Sequence, residues 1–403
     1  MKKTSLLLLL VVLWGCSSHK SHPIPKNIRK LKNLTVIPAN AKPEYHISFQ
    51  KDGSFGSTKK VLVGRIGGFT VDNFGRVYIA DTQQNTIHVF KPNGHFIRNL
   101  GRNGKGPGEF QNIRDMKIQN DHLYILDNRL LKISVFDLHT FEYTTSYNIS
   151  LEDRQNVPSW WKNTRKKGLF YQPNYIYIRP DRSFLLLFSD DKVGSPNHLK
   201  GRTYEASIFS PGQNKYIDTA HNLLSFRWTG QVLVHKVNNG MVVMFGVPYK
   251  PSSKFDFNNG TFVVGWSEEM LFKFYNRNLA YQRAVYYPYS NVPLHWQDVL
   301  AYYKKAPRRV INVIKSDHLP KKWPAFNSLK LDNKGRLWVS TIIKNLKVCR
   351  WMVLNQNGKL LARYIWPRDK SIEVIKNGFI YTKEKNKKGL TRIVRYQFVM
   401  KPR

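Results

Sequence analysis

The sequence predicts an all-β fold, a six-bladed β-propeller, on three observations. A paired-strand pattern recurs every few tens of residues, Asn-Gly turns punctuate it, and no long helical periodicity interrupts it. The recurrence is plainest between Phe69 and Phe110. There Tyr78, Ile79, Asp81, Ile87, Val89 and Phe90 align at a constant offset of 46 with Tyr124, Ile125, Asp127, Ile133, Val135 and Phe136. The run DNFGRVYI at 72–79 returns as DNKGRLWV at 332–339, and weaker copies run from Tyr175 to Leu187 and from Asn259 to Tyr281.

Each copy makes sense as hairpins. Asn-Gly between β-branched and aromatic residues favours type I′ turns, whose twist matches the flanking strands. Such pairs stand at 93–94, 239–240, 259–260, 357–358 and 377–378. Asn278 takes the glycine position in the weaker copy near Tyr281, where asparagine tolerates positive φ. Blades are expected near 66–110, 111–150, 170–220, 230–290 and 325–366. A last blade takes three strands from Ser371–Met400 and its fourth from Tyr45–Phe49. Closing the ring with both chain ends removes exposed edges. The count is six, or seven if 230–290 splits. One helix is expected at Leu294–Lys305, entered by Pro293, with Asp298 near its start, basic Lys304 and Lys305 at its end, and Pro307 stopping it.

The chain start reads as a processing signal over residues 1–15. Lys2 and Lys3 precede an apolar run from Ser5 to Trp14 that is too short to span a bilayer, which needs about 20 residues. Leu13-Trp14-Gly15-Cys16 resembles the lipobox of bacterial lipoproteins, which implies lipidation of Cys16. Residues 16–44 then read as a basic, proline-containing tether that adds attraction to anionic lipid, with the propeller over 45–403. Ser17 after the cysteine favours an outer-membrane anchor facing the periplasm. Cys349 is left alone, so no intrachain disulfide forms and no Cys–His metal spacing exists.

Formal charge is +39, and residues 301–403 hold 26 Lys and Arg against 5 Asp and Glu. A field of that sign gathers polyanions and weakens with salt. It is also what solvated faces of a basic protein look like. A nucleic-acid role is disfavoured, because no binding motif for one is present.

The segments Gly75–Asp81, Asn85–Phe90 and Gly101–Phe110 resemble an NHL repeat. The lipobox, the 294–305 insertion and Trp323-Pro324-Ala325-Phe326 leading into Asp332–Val339 resemble the six-bladed β-propeller lipoproteins of the Bacteroidetes. That resemblance implies a lipid-anchored envelope propeller and says little about ligand. In this repeat the turn aspartate, Asp81 and Asp127 here and Thr341 in the fifth blade, is read as a backbone cap.

Some six-bladed propellers are lactonases or lyases with a channel metal, which wants clustered oxygen ligands. Acids are scarce on the inner strands, with Asp115 and Glu109 the nearest candidates, each read as serving a loop. No Gly-x-Ser-x-Gly, His-Glu-x-x-His or phosphate loop occurs. Binding is therefore favoured over catalysis, with no cofactor or metal expected. The alternatives are a metal-dependent hydrolase or lyase of the lactonase type and a non-specific polyanion binder. Candidate contacts lie on two long insertions, since loops on rigid scaffolds carry function. They are Trp160, Trp161, Lys162 and Arg165 in 151–169, and Trp296, Lys304, Lys305, Arg308, Arg309, Lys321, Lys322 and Trp323 in 291–324. Tryptophan beside Arg and Lys suits a glycan or anionic polymer, and it suits packing of the insertion onto its own blade equally well. An envelope protein and membrane lipid are the other expected partners.

Overall fold

Hydrogen-bonded pairing in the computed structural model resolves the repeats into six antiparallel blades of four or more strands. The structure describes residues 24–152, 157–158, 160–162, 171–190, 203–217, 224–227, 232–236, 242–304 and 306–403. The leader, Cys16, Arg165 and Lys305 lie outside the described residues.

Blade 1 comprises Ile66–Val71, Val77–Asp81, Thr86–Phe90 and Phe96–Leu100, and blade 2 Ile113–Gln119, His122–Asp127, Lys132–Asp137 and Tyr143–Asn148. Blade 3 comprises Tyr171–Ile178, Phe184–Asp190, Thr203–Ser210 and Lys215–Tyr216, with Ser225–Arg227 on the same edge. Blade 4 is Ser253–Asn258, Thr261–Trp266, Leu271–Tyr275 and Tyr281–Tyr286, and blade 5 is Phe326–Leu331, Leu337–Ile342, Val348–Leu354 and Leu360–Pro367. Blade 6 joins Ser371–Lys376, Phe379–Lys385 and Thr391–Pro402 to the N-terminal strand Tyr45–Phe55, which is its outermost member. The region 230–290 is not two blades. Val232–Lys236 and Val242–Gly246 form a separate two-stranded hairpin, so the ring has six.

The apolar content is distributed by the same logic. Six buried clusters each bridge two adjacent blades, blade 6 to blade 1 included, so every wedge is held on both faces by its neighbours. A seventh cluster lies under the 291–324 insertion.

Three local expectations change. The stretch read as a free tether is folded from Lys26 onward. Leu34–Val36 pairs in parallel with Ala284–Tyr286 as a fifth strand of blade 4, and Ile28 and Ile37 are buried. The insertion holds two helices, Trp296–Tyr302 and Arg308–Lys315, where one was expected. Pro307 caps the start of the second helix, because a missing N–H and a fixed φ suit a helix entry as well as a stop. In the hairpin before Tyr281 the left-handed residue is Leu279 (φ 60°), not Asn278. The Asn276 carboxamide accepts from the N–H groups of Asn278 and Ala280 and so closes that turn.

Candidate functional site

The first strand of each blade lines the central channel. In blades 1, 2, 3, 5 and 6 that strand carries one bulge near its start. Strand residues alternate between faces. Met116, Ile176, Leu329 and Ile375 point into the clusters between blades. On the other register Gly68 and Thr70, Asp115 and Lys117, Tyr175 and Tyr177, Ser328 and Lys330, and Val374 and Lys376 border the channel, with Tyr177 also packed in the blade 3–blade 4 cluster. Lys254 and Asp256 are the counterparts in blade 4. All of them border a cavity of about 1520 Å³. Blade 1 contributes the least bulk. A Cβ built on Gly68 meets nothing within 4 Å.

Eight cationic and three acidic side chains border this cavity. The three acids are engaged by the protein itself. Asp115 accepts from Lys117 Nζ (2.8 Å) and from the N–H groups of Met116 (2.9 Å) and Ile176 (3.0 Å), the last in the next blade. Asp256 accepts from the N–H groups of Phe257 (2.9 Å) and Leu331 (2.8 Å), again reaching the next blade. Glu373 pairs with Lys330 at 3.5 Å. Burial raises the Asp256 carboxyl above its ordinary range, against the pull of Lys330 and two N–H donors. Burial would likewise raise Glu373, but Lys330 and further donors outweigh it and hold the carboxylate low. Lys330 is itself held high, because Glu373 and Asp256 overcome the burial that would lower it.

The cations are spent less completely. Lys376 donates to Val71 O (3.0 Å) and Lys383 to Ile66 O (3.2 Å), which ties blade 6 to blade 1. Each ammonium has three donors, so the channel offers donors in surplus. Its opposite wall is aromatic. Tyr175 meets Phe255 edge-on at 5.0 Å, and Lys117 lies 5.0 Å from the Tyr177 ring centroid.

This donor set does not fit a hard cation. A metal site wants several oxygen ligands on one centre, and each channel carboxylate is already bonded and stands beside a lysine. Among the described residues no three His, Cys, Asp or Glu converge on a point. Asp115 does border the channel, where a loop role was expected, while Glu109 serves a loop through Arg102 (2.8 Å) and Gly106 N (2.9 Å).

The insertion residues separate into two groups. Trp160 and Trp161 are buried between blades 2 and 3, with Trp160 Nε1 donating to Ser207 Oγ at 2.9 Å. Trp323 is buried under the helices. These three are packing residues, a correction to their expected place on a contact surface. Lys162, Lys304, Arg308, Arg309, Lys321 and Lys322 are exposed, and Trp296 is partly so. They form no common cavity with the channel.

Inspection of single strands missed Lys254, Asp256, Lys330, Glu373 and Lys376. The signal that could have found them is a charged residue at the same register of several first strands.

A family model described as 6-bladed beta-propeller, DUF5128, matches residues 56–282. No curated protein matches the chain in sequence. Among solved structures, a DUF4221 family member from Bacteroides vulgatus is 12% identical, with a TM-score of 0.52 over 89% of this chain and 99% of that one. A Bacteroides fragilis protein is 11% identical, with a TM-score of 0.49 over 91% and 99%. At such identities the likeness concerns the fold.

Proposed function

The chain belongs to the 6-bladed beta-propeller family DUF5128, and from that premise we propose that it is an exported, lipid-anchored binding module. Its ligand is an anion taken into the central channel. The observation that carries this reading is the channel's chemistry: its carboxylates are bonded within the protein, and its unspent groups are donors on lysines. Clefts lined by one sign of charge concentrate the opposite sign. The short apolar leader, Leu13-Trp14-Gly15-Cys16 and the basic residues after it support export, acylation at Cys16 and residence at the outer membrane facing the periplasm. No helix among the described residues is long and apolar enough to cross a membrane.

Filling the channel tests the reading. Gly68→Trp places an indole on the channel wall at a position where an added Cβ meets nothing within 4 Å. Titration calorimetry with an acidic oligosaccharide such as oligogalacturonate, at low and high salt, should show salt-sensitive binding that Gly68→Trp abolishes while the melting curve is kept. Undiminished binding by that variant would overturn the channel reading. In the expressing cell, labelled palmitate should enter the chain and fail to enter Cys16→Ser. A second reading, polyanion contact at the insertion, is favoured by the exposure of Lys304, Arg308, Arg309, Lys321 and Lys322. Glutamine at those positions would then remove binding that Gly68→Trp leaves intact.

A further inference from the structure

Two spare cations of the channel, Lys254 and Arg368, also border a second cavity. This side cavity, about 720 Å³, lies beneath the helical insertion and shares Ser252, Lys254, Asn327 and Arg368 with the channel. Tyr302, at the end of the first insertion helix, forms part of its outer wall and is 55% exposed. Lys250, Lys347 and Asp369 also border it, and Lys250 is paired at 2.5 Å with Asp317.

Lys254 and Arg368 differ from the other cations of the channel. Neither side chain has a hydrogen bond or ion pair among the described residues, although both are half-buried. Arg368 is held by faces, with its guanidinium 5.4 Å from the Trp323 ring and 5.8 Å from the Tyr302 ring. Lys254 lies within repulsive range of Lys330, and Glu373 offsets that only in part. Burial first, then Lys330, hold its ammonium below the usual lysine range. Partly desolvated cations with no bonded acid are costly in an empty protein, and an oxyanion beside them relieves that cost. A guanidinium also presents its donors in the planar fork that matches carboxylate or phosphate.

We propose that the junction of the two cavities is an oxyanion seat, in which Lys254 and Arg368 hold a carboxylate or phosphate group and the body of the ligand lies against Tyr302. This rests on the reading of the channel as a ligand site and deepens it by naming the group recognised and where it sits. Serine and asparagine at the same junction, Ser252 and Asn327, add neutral polar groups beside the charge.

The test titrates the mature protein with inorganic phosphate, with citrate and with oligogalacturonate, so the arms separate phosphate from carboxylate ligands. Lys254→Met and Arg368→Gln keep bulk and remove charge. Each should weaken the preferred probe about tenfold or more, the loss expected for one charge-assisted hydrogen bond. Without ligand, Lys254→Met should melt no lower than the parent, because it removes a repelled cation. Wild-type affinity in both variants, or no binding of any probe at millimolar concentration, overturns the seat. Gly68→Trp, on the opposite wall, separates the two claims. Loss of binding in Gly68→Trp alone keeps the channel site and removes the seat. Loss in Lys254→Met and Arg368→Gln alone confines the ligand to the side cavity and overturns the channel reading.

Discussion

At the scale of the residue, the repeats are held by aspartates that serve as local caps. Asp81 is fully buried and accepts from four N–H groups: Gly64 (2.6 Å), Arg65 (3.1 Å), Gln83 (2.9 Å) and Gln84 (3.2 Å). Asp127 repeats this with Gln111, Asn112, Arg129 and Leu130. A second aspartate closes the preceding turn. Asp72 accepts from Arg76 N (2.8 Å), Arg76 Nε (2.5 Å) and Tyr78 OH (3.1 Å). Asp332 does the same with Arg336 N (2.9 Å), Arg336 Nε (2.5 Å) and Trp338 Nε1 (2.9 Å). Gly75 and Gly335 supply the positive φ those turns require. Burial would raise the Asp81 carboxyl, but the four N–H donors outweigh it and hold it below the usual aspartate range. A lowered folded-state pKa means the contribution is complete above the unfolded value, near 3.9, and is lost as pH falls through the folded one. Asp81→Ala should cost about 2–3 kcal/mol at neutral pH by leaving buried donors unmade. The cost should shrink as the parent is acidified below about pH 4, which denaturant unfolding at several pH values would check. A pH-independent difference would mean the charge is not what matters. The Asp81 and Asp127 caps were legible in the sequence, because each binds its own turn and the segment just before its blade.

At the scale of the element, the helical insertion is fastened as a unit. Asp317, just past the second helix, pairs with Lys250 at 2.5 Å and accepts from Tyr249 OH at 2.9 Å, with the ionic groups almost completely buried. Val299, Ile314, Trp323 and Tyr249 pack in the same cluster. Asp317→Ala removes the carboxylate facing a buried ammonium, a change that costs about 3–5 kcal/mol in comparable pairs. The loss falls on the insertion, not the ring. Limited proteolysis should therefore cut within 242–324 sooner, while blade fluorescence melts near the parent temperature. Equal cutting rates would show that the pair does not fasten the insertion. The sequence showed a helix here but not its double form, since Pro307 is equally at home ending one helix and starting the next. It also showed the tryptophans without saying where they point. Trp160, Trp161 and Trp323 look alike as letters whether they face solvent or a neighbouring blade.

At the scale of the whole molecule, closure is made by the chain ends. Tyr45–Phe55 pairs along its length with Thr391–Pro402, Arg395 pairs with Asp52, and Arg403 N donates to Glu44 O at 2.9 Å. The contacts from Lys376 and Lys383 into blade 1 complete the circle on the inside. Removing residues 24–55 should leave the edge at Thr391–Pro402 unpaired and bury less of the blade 6–blade 1 cluster, to which Phe55 belongs. The shortened chain should aggregate or unfold at 25 °C, and adding back the 24–55 peptide should restore a cooperative melt. A soluble, cooperatively melting truncation would mean the ring closes without that strand.

The sequence by itself determined what depends on near neighbours along the chain: the hairpins, the Asp81 and Asp127 caps and the repeat, which left the blade count at six or seven. Its periodic apolar residues also determined that each blade needs another beside it. Only the tertiary structure decided which polar residues meet. Lys254, Lys330, Glu373 and Arg368 lie on three blades and the link between two of them. Along the chain, each looks like the ordinary polar side of an alternating strand or a charge in a loop. Ring closure aims them at one axis and withdraws them from bulk water, and there their charges act on one another.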